Sequence, residues 1–86
     1  MATVEYNTEL ADMLESIANY YTIGNDKRRA TSFRNASNNI RQYPSVLTSG
    51  SEARLRIKGI GESIQSAIDE YFRTGQIQRL QELETL

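Results

Sequence analysis

The stretch at residues 54–72, RLRIKGIGESIQSAIDEYF, constrains the fold of this 86-residue chain more than any other. Its centre, Lys58-Gly59-Ile60-Gly61, places two helix-destabilising glycines between two segments whose apolar residues recur at helical spacing. Two packed helices joined by so short a loop need glycine, because one position has to adopt positive φ and another has to allow a close approach of backbone. The stretch therefore predicts two helices connected by a tight hairpin.

Two apolar stripes at helical spacing precede the hairpin, at residues 10–21 and 30–40. Each stripe predicts a helix with one buried side. We expect Asn7 or Thr8 to cap the first helix through a side-chain oxygen. Pro44 should end the second helix, because proline disfavours a helical conformation in the residue before it.

The segments on either side of the hairpin complete the predicted fold. A short helix ending at Arg56 is expected to offer Leu55 for burial, among other apolar residues. A longer helix at residues 62–74 leads to Gly75, which suits the left-handed conformation after a helix C-terminus, and a last short helix follows. The sequence therefore predicts an all-α fold, a compact bundle of four main helices.

The distribution of charge is more informative than the net charge of −1. Residues 1–26 carry five acidic and no basic side chains, and residues 27–58 carry eight basic and one acidic. Residues 59–86 carry two basic and five acidic side chains. A basic block of this kind indicates a polyanionic partner, and the alternative is a solvated face whose charges are paired within the fold.

Composition excludes several classes of function. The chain has no cysteine and no histidine, which removes disulfides, thiolate metal sites and the commonest zinc ligand and general base. No apolar run approaches the roughly 18 residues of a membrane span, and the acidic N-terminus is unlike a signal peptide. We therefore expect no membrane partner and an intracellular location, with nucleus, cytoplasm and virion all open.

The hairpin leads directly into a helix N-terminus, where the first amide N–H groups have no intrahelical partner. These donors and the helix dipole form an anion site, and phosphate fits it well. Lys58 adds a positive charge, Ser63 a hydroxyl, and Ile60 should turn back into the core. The turn therefore suits a phosphodiester backbone and has no evident means to distinguish bases.

The pattern at about residues 51–74 resembles the helix-hairpin-helix motif, a non-sequence-specific DNA-binding element. The wider chain resembles the N-terminal domain of family X (DNA polymerase beta-like) DNA polymerases, a small helical domain with 5′-deoxyribose-phosphate lyase activity in DNA repair. The segments that carry this resemblance occur in the same order: TELADMLESIANYY, RRATSFRNASNNIRQYPSVLTSGSEA, IKGIGESIQSAIDEY and RTGQIQRLQEL. The resemblance extends from about residue 8 to 83, so residues 1–86 are interpreted as a single domain.

The resemblance implies a set of DNA-contacting residues. Arg29 and Arg34 occupy positions where the family has basic residues near a 5′-phosphate pocket, and Phe33 replaces a family tyrosine. Arg54 falls near a family lysine, although one extra residue before the hairpin blurs that alignment. The candidate DNA-binding residues are Arg29, Phe33, Arg34, Arg54, Lys58, Gly59, Ile60, Gly61 and Ser63. We expect the four cationic residues among them to form one positive face with the hairpin.

The resemblance also implies a monovalent cation, sodium or potassium, between the hairpin and DNA. Here the backbone carbonyls of Leu55, Ile57 and Ile60 would supply its ligands. We expect no other cofactor. The expected partner is gapped, nicked or plain duplex DNA, bound by a monomer.

The sequence departs from the family at the positions that carry lyase chemistry. The lysine that forms the Schiff base in lyase members corresponds to Ala67, and a second, phosphate-holding lysine corresponds to Ser63. The chain also ends where the polymerase domains of the family would begin. We therefore expect neither activity. Two alternatives stay open: a lyase that uses Lys58 or Lys27, and a protein-interaction module that has lost DNA binding.

Overall fold

The computed structural model describes residues 6–86, which form five α-helices and contain no β-strand. The helices are α1 (Thr8–Ile23), α2 (Lys27–Gln42), α3 (Gly50–Arg56), α4 (Glu62–Thr74) and α5 (Gln78–Glu84). This confirms the expected all-α fold, with α3 and α4 flanking the hairpin and α5 as the last short helix. Helices α1 and α2 pack along each other, and α5 returns against α1. No helix in this part of the chain is long and apolar enough to cross a membrane.

One apolar core joins all five helices. Its largest fully buried apolar side chains are Leu10, Leu14, Ile17, Ile40, Leu47, Ile68 and Ile77. The buried hydroxyl of Ser37 donates a hydrogen bond of 2.7 Å to the carbonyl oxygen of Ala11, so α2 is joined to α1 by a polar contact inside the core. A buried hydroxyl needs such a partner, because it has lost water.

The structure confirms the predicted end of α2 but not the predicted cap at the start of α1. Helix α2 stops at Gln42, and Tyr43 before the proline is extended, as expected. The expected side-chain cap by Asn7 is wrong. Its Nδ2 donates to the carbonyl oxygen of Ser45 at 3.0 Å, and its Oδ1 accepts from the backbone N–H of Leu47 at 2.9 Å. Asn7 therefore fixes the connector between α2 and α3 to the start of α1.

Helices α3 and α4 are in tight contact at Gly50. Its backbone N–H donates to Oδ1 of Asp69 at 2.7 Å, and a Cβ atom at this position would lie 2.4 Å from the carbonyl oxygen of Gln65. Ser49 caps α3 by accepting from the backbone N–H of Glu52 at 3.0 Å. A glycine outside the hairpin thus sets the spacing of the two hairpin helices.

The burial expected for Leu55 is wrong. Ala53 and Ile57 are buried, whereas Leu55 is 82% exposed. Residues four apart lie on the same side of a helix, so Ala53 and Ile57 point into the core together and Leu55, two residues from each, points away from it.

Candidate nucleic-acid interface

The two hairpin glycines have different conformations. Gly59 has φ of +88°, in the left-handed region that favours glycine, and Gly61 is extended with φ of −86° and ψ of −176°. A Cβ atom at Gly61 would meet nothing within 4 Å. Asn39 fixes the turn by donating from Nδ2 to the carbonyl oxygen of Lys58 at 2.8 Å, and Ile60 is buried as expected. The turn therefore requires a glycine at position 59 and leaves open space beside position 61.

Helix α4 begins without a side-chain cap. Gly61 is its N-cap residue, and the first backbone hydrogen bond runs from the N–H of Gln65 to the carbonyl oxygen of Gly61 at 2.9 Å. The N–H groups of Glu62, Ser63 and Ile64 consequently have no acceptor within the helix. All three residues border open space at the start of the helix, where the helix dipole favours an anion.

This helix N-terminus opens into a cavity of about 550 Å³, here called the hairpin cavity. The cavity lies between α2, the hairpin, the first turn of α4, and α5. Its polar and charged lining side chains are Arg29, Ser32, Glu62, Ser63 and Arg79. Two guanidinium groups, a row of amide donors and two hydroxyls therefore face one volume, together with a single carboxylate.

Two aromatic rings, tilted by 45° against each other, contact the arginines of the hairpin cavity. The ring centroids of Tyr21 and Phe33 lie 5.7 Å apart, and the guanidinium of Arg29 lies 5.8 Å from the centroid of Tyr21. The guanidinium of Arg79 lies 5.4 Å from the centroid of Phe33, and its Nη1 donates to the hydroxyl of Ser63 at 3.1 Å. Cation–π contacts hold a guanidinium in place without neutralising its charge.

Only Arg29 of this pair has an acidic partner among residues 6–86. Its Nη1 lies 3.2 Å from Oδ2 of Asp26, and its backbone N–H donates to the other oxygen of the same carboxylate, which caps α2. Arg79 makes no ion pair within the same range of residues. Its charge is therefore available to a ligand in the hairpin cavity.

The structure brings together six of the nine candidate DNA-binding residues. Those in the hairpin cavity are Arg29, Phe33, Gly59, Ile60, Gly61 and Ser63. Arg34 lines a different pocket with Lys27, where it donates to Asn19 and Thr22. Arg34 lies five residues after Arg29, which is a rotation of roughly 140° around the helix.

Arg54 and Lys58 also lie outside the hairpin cavity. Arg54 lines a third depression and donates to Oε1 of Gln65 at 3.1 Å. Lys58 is exposed on the turn itself. The four cations are divided among separate depressions and the turn, so the hairpin cavity contains only Arg29 of them and the single positive face stays a prediction.

Arg41, from the same basic block, is neutralised inside the fold. Its Nη2 donates to Asp12 at 2.7 Å and to Glu15 at 3.1 Å. Chiefly through the hydrogen bond to Asp12, the pKa of Arg41 lies above its ordinary value. Arg41 therefore joins α1 to α2 and does not line the hairpin cavity.

Sequence reasoning missed Arg79. Its segment, residues 59–86, carries an excess of acidic side chains, so the charge count indicated no anion site there. The return of α5 to the mouth of the cavity is a tertiary contact that no local pattern encodes. The sequence offers a single signal for Arg79, namely that it is one of only two basic residues after the hairpin.

The structure places each of the residues that the sequence linked to lyase chemistry. Ala67 is buried on α4 and lies outside the lining of the hairpin cavity. Lys27 lines the Arg34 pocket and Lys58 lies on the turn, so no lysine among residues 6–86 lines the hairpin cavity. Within residues 6–86 no cluster of acidic side chains has the make-up of a metal site.

These features define a small helical module whose hairpin leads into an uncapped helix N-terminus. A family model described as a helix-hairpin-helix domain matches residues 5–77, which is most of the chain. The chain therefore belongs to the helix-hairpin-helix domain family, whose members generally act as DNA-binding modules. The expected domain of residues 1–86 includes residues 1–5, which lie outside the described part of the chain.

Proposed function

We propose that this chain is a non-sequence-specific DNA-binding module that grips the phosphate backbone at gaps and 5′ ends, without lyase or polymerase activity. The observation that carries the proposal is the hairpin cavity, where the uncapped N-terminus of α4 faces Arg29 and Arg79. Amide N–H groups, guanidinium groups and hydroxyls are the usual phosphate ligands in protein–DNA complexes, and they position a protein without reading sequence.

The shape of the site favours a terminal phosphate over a phosphate in the middle of a strand. The cavity has α2 on one side, the hairpin on another and Arg79 of α5 on a third. A terminal phosphate enters such a space from one side, whereas a continuous strand has to pass through it. A 5′-phosphate also carries more charge than a phosphodiester, so two arginines and a helix dipole bind it more strongly.

The order of the segments supports a relationship with the N-terminal domain of family X DNA polymerases, and with it a role in DNA repair. On that relationship, Arg29, Phe33 and Ser63 occupy the phosphate pocket of the family. Arg79 completes the pocket through its hydrogen bond to Ser63.

We propose that a monovalent cation binds to backbone carbonyls before and within the hairpin. The carbonyl of Leu55 lies in the last turn of α3 and has no acceptor role within the helix, because the helix ends at Arg56. The carbonyls of Ile57 and Ile60 lie outside any helix, and the hydrogen bond from Asn39 goes to Lys58 instead. Carbonyl oxygens suit sodium or potassium, and such an ion would add positive charge next to a bound phosphate.

The absence of lyase activity is proposed on chemical grounds. A Schiff base needs an amine within bonding reach of the sugar aldehyde. The methyl group of Ala67 and the hydroxyl of Ser63 cannot supply one, and neither Lys27 nor Lys58 is among the lining residues of the cavity. Borohydride trapping on an abasic, gapped duplex tests this directly. A covalent adduct that Lys58→Ala or Lys27→Ala abolishes would establish the lyase alternative.

The binding proposal is tested by titrating labelled duplexes with the full chain at two salt concentrations. The three duplexes carry a gap with a 5′-phosphate, the same gap with a 5′-hydroxyl, or no gap. We expect the phosphorylated gap to bind most tightly and all affinities to fall with salt, because phosphate contacts release counterions. Equal affinity for the phosphate and hydroxyl ends would remove the terminal-phosphate pocket. Absence of binding to all three duplexes would favour a protein-interaction module.

A further inference from the structure

We propose that Leu55 is an apolar wedge that inserts into DNA beside the hairpin and gives the module its preference for interrupted duplexes. The inference rests on the proposed DNA-binding function and concerns a side chain outside the hairpin cavity. Leu55 lies in the last turn of α3, three residues before Lys58 of the hairpin, and is 82% exposed.

The surroundings of Leu55 are open and carry a positive charge from Arg54. Leu55 borders a depression of about 540 Å³ together with Ser51, Arg54 and Gln65. Arg54 donates to Oε1 of Gln65 at 3.1 Å, and Nε2 of Gln65 donates to the hydroxyl of Ser51 at 3.3 Å. This chain of hydrogen bonds joins α3 to α4 and holds the guanidinium of Arg54 beside the leucine.

Charge identifies the occupant. Leu55 lies between Arg54 and Arg56, and Lys58 follows on the turn; all three cations are exposed. None of them forms an ion pair within the described chain. A second copy of the chain would bring the same cations into contact, and like charges repel. DNA offers phosphates for the cations and the apolar faces of sugars and bases for the leucine.

The wedge explains a preference for gaps and nicks in physical terms. Leucine is among the side chains that insert between base steps from the minor groove, which requires the bases to unstack. Unstacking is least costly where a base already lacks its neighbour or its partner. The apolar contact is therefore more favourable at an interrupted step than in an intact duplex.

The test compares the wild-type chain with Leu55→Ser and with Ile23→Ser, a matched control in which a side chain that is 81% exposed on α1 is changed. Each protein is titrated with gapped and intact duplexes. A 2-aminopurine beside the gap reports unstacking by an increase in fluorescence. Because both side chains are exposed, circular dichroism should show all three proteins folded alike.

We expect Leu55→Ser to bind gapped DNA about tenfold more weakly, with a smaller loss on intact duplex, as for removal of one buried leucine contact. The dependence on salt should be unchanged, since no charge is altered, and the fluorescence increase should disappear. Ile23→Ser should behave as wild type. In contrast, Arg54→Gln should lower the salt slope by about one.

The contrary outcomes are distinct. Equal affinity of Leu55→Ser and wild type for gapped DNA would overturn the wedge and leave the phosphate-binding proposal intact. Binding of no duplex by the wild-type protein would overturn both. A wild-type dimer in sedimentation that Leu55→Ser dissociates would also overturn the wedge, and would assign this surface to a second copy of the chain.

Discussion

The α1–α2 pair and the α3–α4 hairpin use their polar side chains in opposite ways. Between α1 and α2, Ser37 donates to the carbonyl oxygen of Ala11 inside the core, and Arg41 donates to Asp12 and Glu15 at the surface. Every one of these groups finds its partner within the fold. Ser37 and Arg41 therefore use their hydrogen-bonding capacity, and Arg41 its charge, in holding these two helices together.

The hairpin region leaves its donors available to a ligand. Helix α4 starts without a side-chain cap, and Arg54 and Arg79 donate to the neutral partners Gln65 and Ser63. A neutral acceptor orients a guanidinium but does not cancel its charge. The comparison explains how a chain with a pI of about 5.4 can carry a site for a polyanion, because net charge averages over regions with opposite roles.

The largest effect on stability is expected at Gly50, where α3 contacts α4. Gly50→Ala would place a Cβ atom 2.4 Å from the carbonyl oxygen of Gln65 and 2.8 Å from the carboxylate of Asp69. We expect a loss of about 3 kcal/mol in the free energy of unfolding, near the upper end of overpacking costs. Urea denaturation measures it. Unchanged stability would mean that α3 and α4 can move apart, and that the hairpin is less fixed than the α1–α2 pair.

The next effect separates binding from folding at Gly61. Gly61→Val should leave stability nearly unchanged, because the backbone is extended there and a Cβ atom has open space. Affinity for gapped DNA should fall about tenfold, as for loss of one charge-assisted hydrogen bond. Gly61→Ala should give a smaller loss, since the methyl group blocks less of the approach to the amides. Equal affinity of all three proteins would contradict a phosphate at the start of α4.

Local patterns predicted the hairpin well. The glycine pair and the flanking apolar spacing gave both helices, the burial of Ile60 and the uncapped start of α4, since each depends on neighbours in sequence. The reasons assigned to the glycines were less accurate. Positive φ occurs at Gly59 alone, and the tight helix contact lies at Gly50, where only the tertiary structure brings Gln65 and Asp69 close.

The cations of the site were harder to predict. Arg29 was placed in the site by a resemblance and Arg79 was missed, because the packing of α5 against the rest of the fold decides its position. Arg34 was included although it lies on another side of α2, which helical rotation alone could have indicated. A local sequence pattern thus predicts the secondary structure of a segment, whereas the set of residues that meet at a site depends on how the helices pack.

A smaller effect on the salt dependence of binding should distinguish Arg79, which has a neutral partner, from Arg41, which is paired with two carboxylates. Arg79→Gln should reduce the slope of log affinity against log salt by about one, with little change in stability, because it removes one phosphate contact. Arg41→Gln should leave that slope unchanged and lower the free energy of unfolding by about 0.5–1 kcal/mol, the usual value for exposed ion pairs. Titrations at several salt concentrations and urea denaturation measure both. The opposite pattern would contradict the division between the two regions.

The smallest effect is expected for the pH dependence of stability. It concerns Glu52 of α3, which holds the connector between α2 and α3. Its carboxylate accepts from the backbone N–H and the hydroxyl of Thr48, both at 2.9 Å, and from the hydroxyl of Tyr43 at 3.0 Å. The bond from the Thr48 backbone is the main reason that the pKa of Glu52 lies below its ordinary value of 4.5, and the two hydroxyls add to it. These bonds need the ionised carboxylate as acceptor.

The sign of the pH dependence follows from that lowered pKa. A carboxyl group with a lower pKa in the folded state stabilises the fold above its unfolded pKa, and this contribution is lost as pH falls through the folded value. We therefore expect wild-type stability to decline on acidification below about pH 4.5 more steeply than that of Glu52→Gln, which cannot titrate. Urea denaturation at a series of acidic pH values measures the difference, and Glu84→Gln, on exposed α5, is the control for a carboxylate outside the connector. Parallel curves for wild type and Glu52→Gln would mean that Asn7 and the core are sufficient to hold the connector in place. The stability of the hairpin region would then depend on acid no more than that of the α1–α2 pair.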